Sequence, residues 1–248
     1  MSTTTLHHPS LQGKAVPITG AAGGLGAALA RRLAASGAGI FGVDLQAARL
    51  ADSMAQLREQ GVQAHALGVD IADPAAAPRI VEHALGVLGR LDILVNNAGT
   101  DVTLPIAELP DADWLRVMGT NLTAPFLLSK YAADAMRRQG GGHIVNIAST
   151  AAKRAWPKAS AYHASKWGLL GLSHALHAEL RPDNVRVTAV IAGGMRTPFL
   201  LERFPELDAD SLQDPADVAD AIRSVLVLPP TTVVAELTVL PLRETSWP

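Results

Sequence analysis

The chain has 248 residues, of which 48% are hydrophobic and 18% charged, and this balance predicts a globular protein without long disordered segments. Its 21 basic and 23 acidic side chains leave a formal charge of -2, which is too near neutral for an electrostatic hold on nucleic acid or anionic membranes. The absence of cysteine excludes disulfides, thiol catalysis and zinc sites built on cysteine.

The amino-terminal segment is polar. Residues 1–14 contain neither the basic region nor the apolar core of a secretory signal, and we expect residues 1–12 to be flexible. No uncharged apolar stretch approaches the roughly 20 residues that a membrane-spanning helix requires. These features predict a cytoplasmic protein with no membrane partner.

Apolar strands alternate with helices along the rest of the chain. Asp73-Pro74 is typical of a helix start, with the aspartate as the cap and the proline in the first turn. The predicted strands are residues 15–19, 40–44, 64–69, 93–95, 143–148, 186–190 and 233–240. The predicted helices are residues 21–37, 47–59, 73–88, 113–138, 162–181 and one that begins near Pro215.

This alternation predicts the fold class, because parallel strands need crossover connections and a helix is the usual crossover. We predict an α/β fold in which one domain, residues 1–248, contains a single doubly wound, Rossmann-type sheet of seven parallel strands with helices on both faces. An eight-fold β/α barrel has a similar alternation, but it needs an eighth unit. Residues 193–214 form the least regular segment and are the candidate for a mobile substrate lid.

A glycine-rich turn separates the first strand from the first helix. Glycine lets the backbone approach a phosphate closely, and the amides and dipole of a helix N-terminus attract a pyrophosphate. The spacing alone is weak evidence, since glycines can also pack a turn against a neighbouring helix. In its context, the turn predicts a dinucleotide site formed by Gly20, Gly23, Gly24, Leu25 and Gly26.

Asp44 ends the second strand, the place from which a carboxylate reaches the ribose hydroxyls of a dinucleotide. A 2′-phosphate would meet this negative charge, and neither the turn nor Leu45 supplies a cation to hold it. We therefore predict NAD rather than NADP as the cofactor. Asp70 and the Ile71 backbone, at the end of the third strand, are predicted to contact the adenine, although an aspartate there can also simply cap a turn.

Tyr162 and Lys166 lie one helical turn apart, so both project from one face of a helix. Tyrosine is a poor base at neutral pH, but a neighbouring ammonium or nicotinamide cation favours the phenolate and lowers the tyrosine pKa. Tyr162 could then accept the proton of an alcohol, while Ser149, at the end of the fifth strand, hydrogen-bonds the substrate oxygen. Asn121 lies inside a long helix, which is unfavourable for asparagine unless its side chain has another task.

These residues together resemble the short-chain dehydrogenase/reductase family, from about residue 11 to residue 241. The family's T-G-x-x-x-G-x-G turn is represented by Thr19, Gly20, Gly24 and Gly26. Its N-N-A-G signature is represented by Asn96, Asn97, Ala98 and Gly99, and its catalytic tetrad by Asn121, Ser149, Tyr162 and Lys166.

The resemblance implies a role for each member of the tetrad. Tyr162 would be the general acid/base, and Lys166 would bind the nicotinamide ribose and lower the tyrosine pKa. Ser149 would orient the carbonyl, and Asn121 would hold a water that connects Lys166 to solvent. The resemblance also implies assembly as a homotetramer, and cofactor contacts from Asn97, Ala98, Gly99, Met195 and Thr197.

Three positions depart from what this fold favours. Pro17 lies in the first strand, where proline removes a ladder hydrogen bond, and predicts a bulge or a missing bond. Ala192 stands where the family usually has proline, which should loosen the start of the lid. Gly119 lies inside the predicted long helix and costs about 1 kcal/mol of helix propensity relative to alanine.

The loop between Ser149 and Tyr162 resembles the family's substrate-facing loop. We predict a substrate contact from Trp156, and recognition of a carboxylate, phosphate or sulfonate by Arg154, His163 and Arg196. The loop cations could instead be solvated or contact another subunit. We predict no metal site, because the histidines lack carboxylate companions at ligand spacing.

The sequence thus predicts an NAD-dependent enzyme that interconverts a small-molecule secondary alcohol and a ketone, on an anionic or sugar-like substrate. One alternative is a regulatory protein that binds the nucleotide without catalysis. A second is an NADP-dependent reductase of the 3-oxoacyl type. A third is a dehydratase or epimerase, whose reaction would give no net change in the cofactor.

Overall fold

The computed structural model describes residues 10–243 and contains one seven-stranded sheet. Every strand pairs in parallel with its neighbours, in the order β3-β2-β1-β4-β5-β6-β7. The strands are β1 Ala15–Thr19, β2 Gly39–Asp44, β3 Ala64–Gly68, β4 Ile93–Asn96, β5 Gly142–Ile147, β6 Val185–Ala192 and β7 Glu236–Val239. The predicted doubly wound sheet is confirmed, although β7 begins three residues later than predicted.

Helices cover the sheet and supply its crossovers. The α-helices are α1 Gly24–Ala34, α2 Ala47–Glu59, α3 Ala76–Leu88, α4 Asp111–Met118, α5 Ala124–Arg138, α6 Ser160–Leu180, α7 Pro198–Leu201 and α8 Pro215–Leu226. Short 3-10 helices lie at Ile106–Glu108, Thr150–Ala152, Arg181–Asp183 and Ala209–Ser211. No helix of the described chain is both long and apolar enough to cross a membrane.

Two apolar clusters lie on opposite faces of the sheet because successive strand residues point to opposite sides. Val95 of β4 belongs to the cluster beneath α1 and α8, whereas the preceding Leu94 belongs to the cluster beneath α3 and α5. This packing leaves the carboxyl ends of β1 and β4 to β6 at one edge, where parallel α/β sheets place their ligands.

Several predicted helix boundaries were wrong for local reasons. The helix predicted at residues 21–37 is shorter because its first residues form the glycine turn. Asp73 does not cap α3, which begins at Ala76; its carboxylate instead accepts the Ala75 amide in a preceding turn. At the amino terminus, Leu11 is buried and its amide donates to Ser36 O, so the fold holds the chain from there. The rest of the predicted flexible segment, residues 1–9, lies outside the described residues.

Pro17 is accommodated without a bulge. The five pairs between β1 and β2 follow an unbroken register through Pro17 and Phe41. The Gly20 amide donates to Val43 O of β2. Backbone groups of residues two apart point to the same neighbouring strand, so those of residue 18 also point to β2 and those of Pro17 point to β4. On that side, β1 and β4 share one registered pair, Ile18 and Val95. The N–H that Pro17 lacks would therefore belong to the β1–β4 ladder, which has fewer registered pairs than the β1–β2 ladder. This agrees with the predicted missing bond.

Candidate active site

The glycine-rich turn packs directly against the end of β4. Gly20 has φ of +70°, and a Cβ there would lie 2.8 Å from the Asn97 side-chain amide. A Cβ on Gly26 would lie only 2.0 Å from Gly20 O, so no side chain fits at either position. By contrast, a Cβ on Gly24 would make only ordinary contact with the Thr197 side chain, 3.4 Å from Cγ2 and 3.6 Å from Cβ. The turn therefore leaves room for a ligand beside Gly24, at the first residue of α1.

Side chains clamp the turn to the N-N-A-G loop. The Asn97 side chain donates to Thr19 O at 2.9 Å and to Gly20 O at 3.2 Å. In return, Thr19 Oγ1 accepts the amides of Asn97 and Ala98, both at 3.0 Å. At Gly99 the backbone lies close to α6, the helix that carries Lys166, since a Cβ there would lie 3.7 Å from Lys166 Nζ. The structure thus places these predicted cofactor residues beside the glycine turn.

Asp44 lies at the other side of the same turn. Its Oδ2 accepts the Ala22 amide at 2.9 Å, and its Oδ1 accepts the Gln46 amide at 2.9 Å. These two bonds fix the carboxylate at the end of β2, where a ribose would lie. The residues predicted to contact the adenine, Asp70 and Ile71, lie just after β3. Asp70 is exposed and its carboxylate accepts the Ala72 amide in a turn, whereas Ile71 is buried.

Arg49 is a cation near this site that the sequence analysis missed. It belongs to α2, and its Nη2 would lie 2.8 Å from a Cβ built on Gly23. Arg49 lies outside the turn and five residues after Asp44, and only the packing of α2 brings it back across the turn. A group that extends from the ribose past Asp44 would therefore meet a guanidinium as well as a carboxylate.

Tyr162, Lys166 and Ser149 meet as the helical spacing predicts. Tyr162 and Lys166 are both on α6, and Lys166 Nζ lies 5.7 Å from the Tyr162 ring centroid while donating to Ile147 O at 2.8 Å. Ser149, just after the end of β5, lies close enough to Tyr162 for its hydroxyl to lower the Tyr162 pKa, and its Oγ accepts the Ala151 amide at 3.1 Å. An alcohol bound here can contact the two hydroxyl groups together.

The environment of Tyr162 and Lys166 shifts both titrations. Burial raises the pKa of Tyr162 to about 12, while the hydrogen bond from Ser149 acts in the opposite direction. Burial also lowers the pKa of Lys166 to about 8, against the effect of the Asp101 carboxylate. A further positive charge beside Tyr162 would be needed to bring its pKa towards neutrality, and a bound nicotinamide cation would supply one.

Asn121 lies in a turn of π-helix, Gly119–Thr123, that interrupts the predicted long helix. Its side chain is buried and takes the Thr100 amide on Oδ1 while donating to Thr100 O, both at 2.8 Å. It also donates to Ser165 Oγ at 3.0 Å. The two helix-unfavourable residues, Gly119 and Asn121, mark this distortion, and π-turns of this kind occur frequently at functional sites.

The loop that precedes α6 is organised by His163. One ring nitrogen contacts Ala151 O at 3.0 Å, and the other accepts the Trp156 amide at 3.0 Å. The Trp156 indole packs edge-on against the imidazole, with centroids 4.2 Å apart. His163 therefore fixes the loop and has no ring nitrogen left for a substrate anion. Arg154 lies half-buried in the same loop.

The segment predicted as a lid, residues 193–214, passes the glycine turn at Thr197 and lies beside Tyr162 at Phe199. Met195 bridges to Gln213, and the buried Thr197 lies against Gly24; their contact with a cofactor stays a prediction. Arg196 instead contacts Leu212 O at 3.0 Å and the Asp214 carboxylate at 3.1 Å. Two of the three groups predicted to bind an anion, His163 and Arg196, are thus engaged within the protein.

Asp101 and Arg203 are the charged side chains whose electrostatic effect on Tyr162 raises and lowers its pKa, respectively. Neither residue was predicted from the sequence to belong to the site. Asp101 follows the N-N-A-G loop by two positions, and Arg203 follows α7 in the lid. Their side chains meet across the site, with Arg203 Nη1 3.7 Å from Asp101 Oδ2.

Among the described residues, no cluster of three or more histidines and carboxylates could hold a metal ion.

The chain resembles known proteins in this architecture. Residues 14–208 match the family model described as short chain dehydrogenase. A granaticin polyketide synthase putative ketoacyl reductase from Streptomyces violaceoruber is 42% identical, over 73% of this chain and 68% of its own. D-threitol dehydrogenase from Mycolicibacterium smegmatis is 39% identical, over 73% of this chain and 69% of its own. A metagenomic short-chain oxidoreductase solved with NADP is 31% identical, with a TM-score of 0.83 and coverage of 94% and 99%.

Proposed function

The chain belongs to the short-chain dehydrogenase/reductase family, and we propose that it is an NAD-dependent oxidoreductase that interconverts a secondary alcohol and a ketone. The observation that carries this proposal is the position of Lys166 Nζ, 5.7 Å from the Tyr162 ring, with Ser149 close enough to act on the Tyr162 pKa. A non-catalytic nucleotide sensor would have no chemical need for this arrangement.

The protein's own groups would manage the proton and the orientation of the substrate. Ser149 would donate a hydrogen bond to the substrate oxygen, and Tyr162 would take the hydroxyl proton as the alcohol is oxidised. Lys166, fixed by Ile147 O, would hold positive charge near the phenolate and bind a ribose hydroxyl. When bound, the nicotinamide accepts the hydride. The fit for a dinucleotide rests on the space beside Gly24 and on the carboxylate of Asp44.

The choice of cofactor follows from two opposed charges. Asp44 would accept bonds from ribose hydroxyls and repel a 2′-phosphate, whereas Arg49 could pair with that phosphate. We expect Asp44→Ala to weaken NADH binding and strengthen NADPH binding, each by about tenfold, because a charge-assisted hydrogen bond is worth about 1.5 kcal/mol or more. We expect Arg49→Ala to weaken NADPH binding by about tenfold and to leave NADH binding unchanged. Titration of nicotinamide fluorescence measures all four constants, and unchanged ratios in both variants would place the discrimination elsewhere.

A second candidate function is reduction of a 3-oxoacyl thioester with NADPH. It is supported by the name of the Streptomyces violaceoruber relative, which is a putative ketoacyl reductase, and by Arg49 at the edge of the ribose site. Oxidation of NADPH in the presence of acetoacetyl-coenzyme A, faster than reduction of NAD by any alcohol, would favour this candidate.

The proposed function is tested by incubating the purified protein with NAD or NADP and a panel of secondary alcohols. The panel contains hydroxy acids, polyols, sugars and hydroxyacyl thioesters, and the absorbance of the reduced nicotinamide is followed. Formation of NADH in proportion to ketone supports the proposal. A protein that binds NADH tightly but reduces no cofactor would favour the regulatory alternative, and product without net NADH would favour a dehydratase or epimerase.

Assembly as a homotetramer is also part of the proposal. Large apolar side chains are exposed along the faces of α4, α5 and α6, namely Trp114, Leu115, Phe126 and Trp167. Burying such a surface between copies stabilises an oligomer, and closed symmetry is the usual outcome. We expect Phe126→Glu to convert a tetramer into smaller species in light scattering after gel filtration. A wild-type protein that is monomeric at micromolar concentration would contradict this expectation.

A further inference from the structure

Asp101 is a charged group in the substrate region that has no part in the proposed proton transfer. Its side chain is only 9% exposed, and its charge acts on Tyr162, Lys166 and His163. These three residues lie on α6, while Asp101 lies on the loop after β4. The Asp101 charge therefore acts at the place where a substrate alcohol would meet Tyr162.

The lid holds this carboxylate in place. Arg203 Nη2 donates to the backbone oxygen of Asp101 at 3.2 Å, while its Nη1 remains 3.7 Å from Asp101 Oδ2. The guanidinium also covers the Phe199 ring at 4.3 Å, and that ring lies 6.3 Å from the ring of Tyr162. Arg203 thus joins the predicted lid to the Asp101 loop, and Phe199 brings an aromatic ring of that segment beside Tyr162.

One oxygen of the carboxylate keeps capacity to accept a hydrogen bond. Oδ1 accepts the Val102 amide at 2.6 Å, whereas Oδ2 is 3.7 Å from Arg203, which is beyond a hydrogen bond. An ionised carboxylate offers acceptors only, so the group that completes it must be a donor. The same charge repels carboxylates and phosphates.

Asp101 also carries costs that a purely structural residue would avoid. Burial opposes its ionisation and raises its pKa, and its charge raises the pKa of Tyr162, which disfavours the phenolate. A neutral side chain would avoid both effects. The charge of Arg203 offsets part of this cost, and a hydrogen-bond donor on Oδ2 would offset more of it.

We propose that Asp101 is a specificity-determining residue, whose carboxylate accepts a hydrogen bond from a second hydroxyl of the substrate, next to the reacting one. The substrate class is then a neutral vicinal diol or longer polyol rather than a simple alcohol or an anion. This inference rests on the proposed alcohol chemistry and deepens it. It replaces the anionic substrate that the sequence suggested, since His163 and Arg196 are bonded within the protein.

The test compares meso-butane-2,3-diol with butan-2-ol, which lacks the second hydroxyl. A hydrogen bond to a charged group is worth about 1.5–3 kcal/mol, so we expect the wild-type protein to favour the diol in kcat/KM by about 10- to 100-fold. Asp101→Ala should abolish this preference, and Asp101→Asn, which keeps a neutral acceptor, should retain part of it. Glu202→Gln removes an exposed negative charge from the same lid and should keep the wild-type preference.

The two substrates also separate specificity from structural damage. In Asp101→Ala, oxidation of butan-2-ol should persist, and its rise with pH should shift to lower pH because the charge that raises the Tyr162 pKa is gone. If Asp101→Ala lowered kcat/KM by the same factor with both substrates, Asp101 would only support Lys166 or the loop, and the inference would be overturned. A wild-type protein that oxidises both alcohols equally well would also overturn it. Failure of the proposed function is distinct, because it appears as the absence of any alcohol oxidation that depends on Tyr162.

Discussion

Replacement of Tyr162 by phenylalanine is expected to lower kcat for alcohol oxidation by about 100- to 10,000-fold, the usual contribution of a positioned acid/base. The ring that packs near Phe199 is kept, and only the hydroxyl is lost. Binding of NADH and the midpoint of thermal unfolding should therefore remain within error of the wild type. Steady-state kinetics, nicotinamide fluorescence and calorimetry measure the three quantities.

The chain offers a matched control for this substitution. Its one other tyrosine, Tyr131, lies on α5 with 37% of its surface exposed, and Tyr131→Phe should retain full activity. If Tyr162→Phe keeps more than about a tenth of the wild-type kcat, another group must take the proton. The wild-type rate should rise with pH, since the phenolate is the active form and burial raises the pKa of Tyr162. The phenylalanine variant should lack that rise.

Replacement of Gly26 by alanine is the second change with a large expected effect. The added Cβ would lie 2.0 Å from Gly20 O and 2.7 Å from the Asn97 side chain, and the backbone oxygen cannot move without opening the turn. We expect the free energy of unfolding to fall by about 3 kcal/mol and NADH binding to be lost. Urea denaturation and fluorescence titration measure these outcomes.

Gly86 provides the comparison for Gly26. It lies inside α3, and a Cβ there would meet nothing within 4 Å. Gly86→Ala should therefore raise the free energy of unfolding, by up to about 1 kcal/mol, through better helix propensity. If both alanine variants behaved alike, the close approach of Gly26 to Gly20 would have no energetic weight.

Local pattern predicted the fold and the proximity of Tyr162 and Lys166 well. Helix α2 has the predicted bounds, and the meeting of Tyr162 with Lys166 follows from one turn of α-helix. Both depend on residues close together in the chain. The π-turn at Asn121 was not predicted as such, although Gly119 and Asn121 marked the place as unfavourable for a regular helix.

The missed residues depend on contacts between distant segments. Arg203 meets Asp101 across 102 positions of sequence, and nothing in either segment alone predicts that pairing. Arg49 is similar, since only the packing of α2 against the glycine turn brings it to Gly23. The pairing of Arg196 with Asp214 is similar, because Asp214 lies at the far end of the predicted lid and the local sequence does not indicate it as a partner. The sequence shows which residues are charged, but the tertiary fold determines which group each charged residue pairs with.

The thin ladder between β1 and β4 has a consequence for how the protein folds. Thr19 and Asn97, which join the two strands, are 78 positions apart, whereas most other neighbouring strands are linked by a single crossover. Closing so long a loop is entropically costly, so we expect the two halves of the sheet to form first and to dock late. Amides along this seam should then exchange with deuterium sooner than those inside either half. A dinucleotide held by the glycine turn on one half and by Lys166 on the other would favour the docked state by mass action.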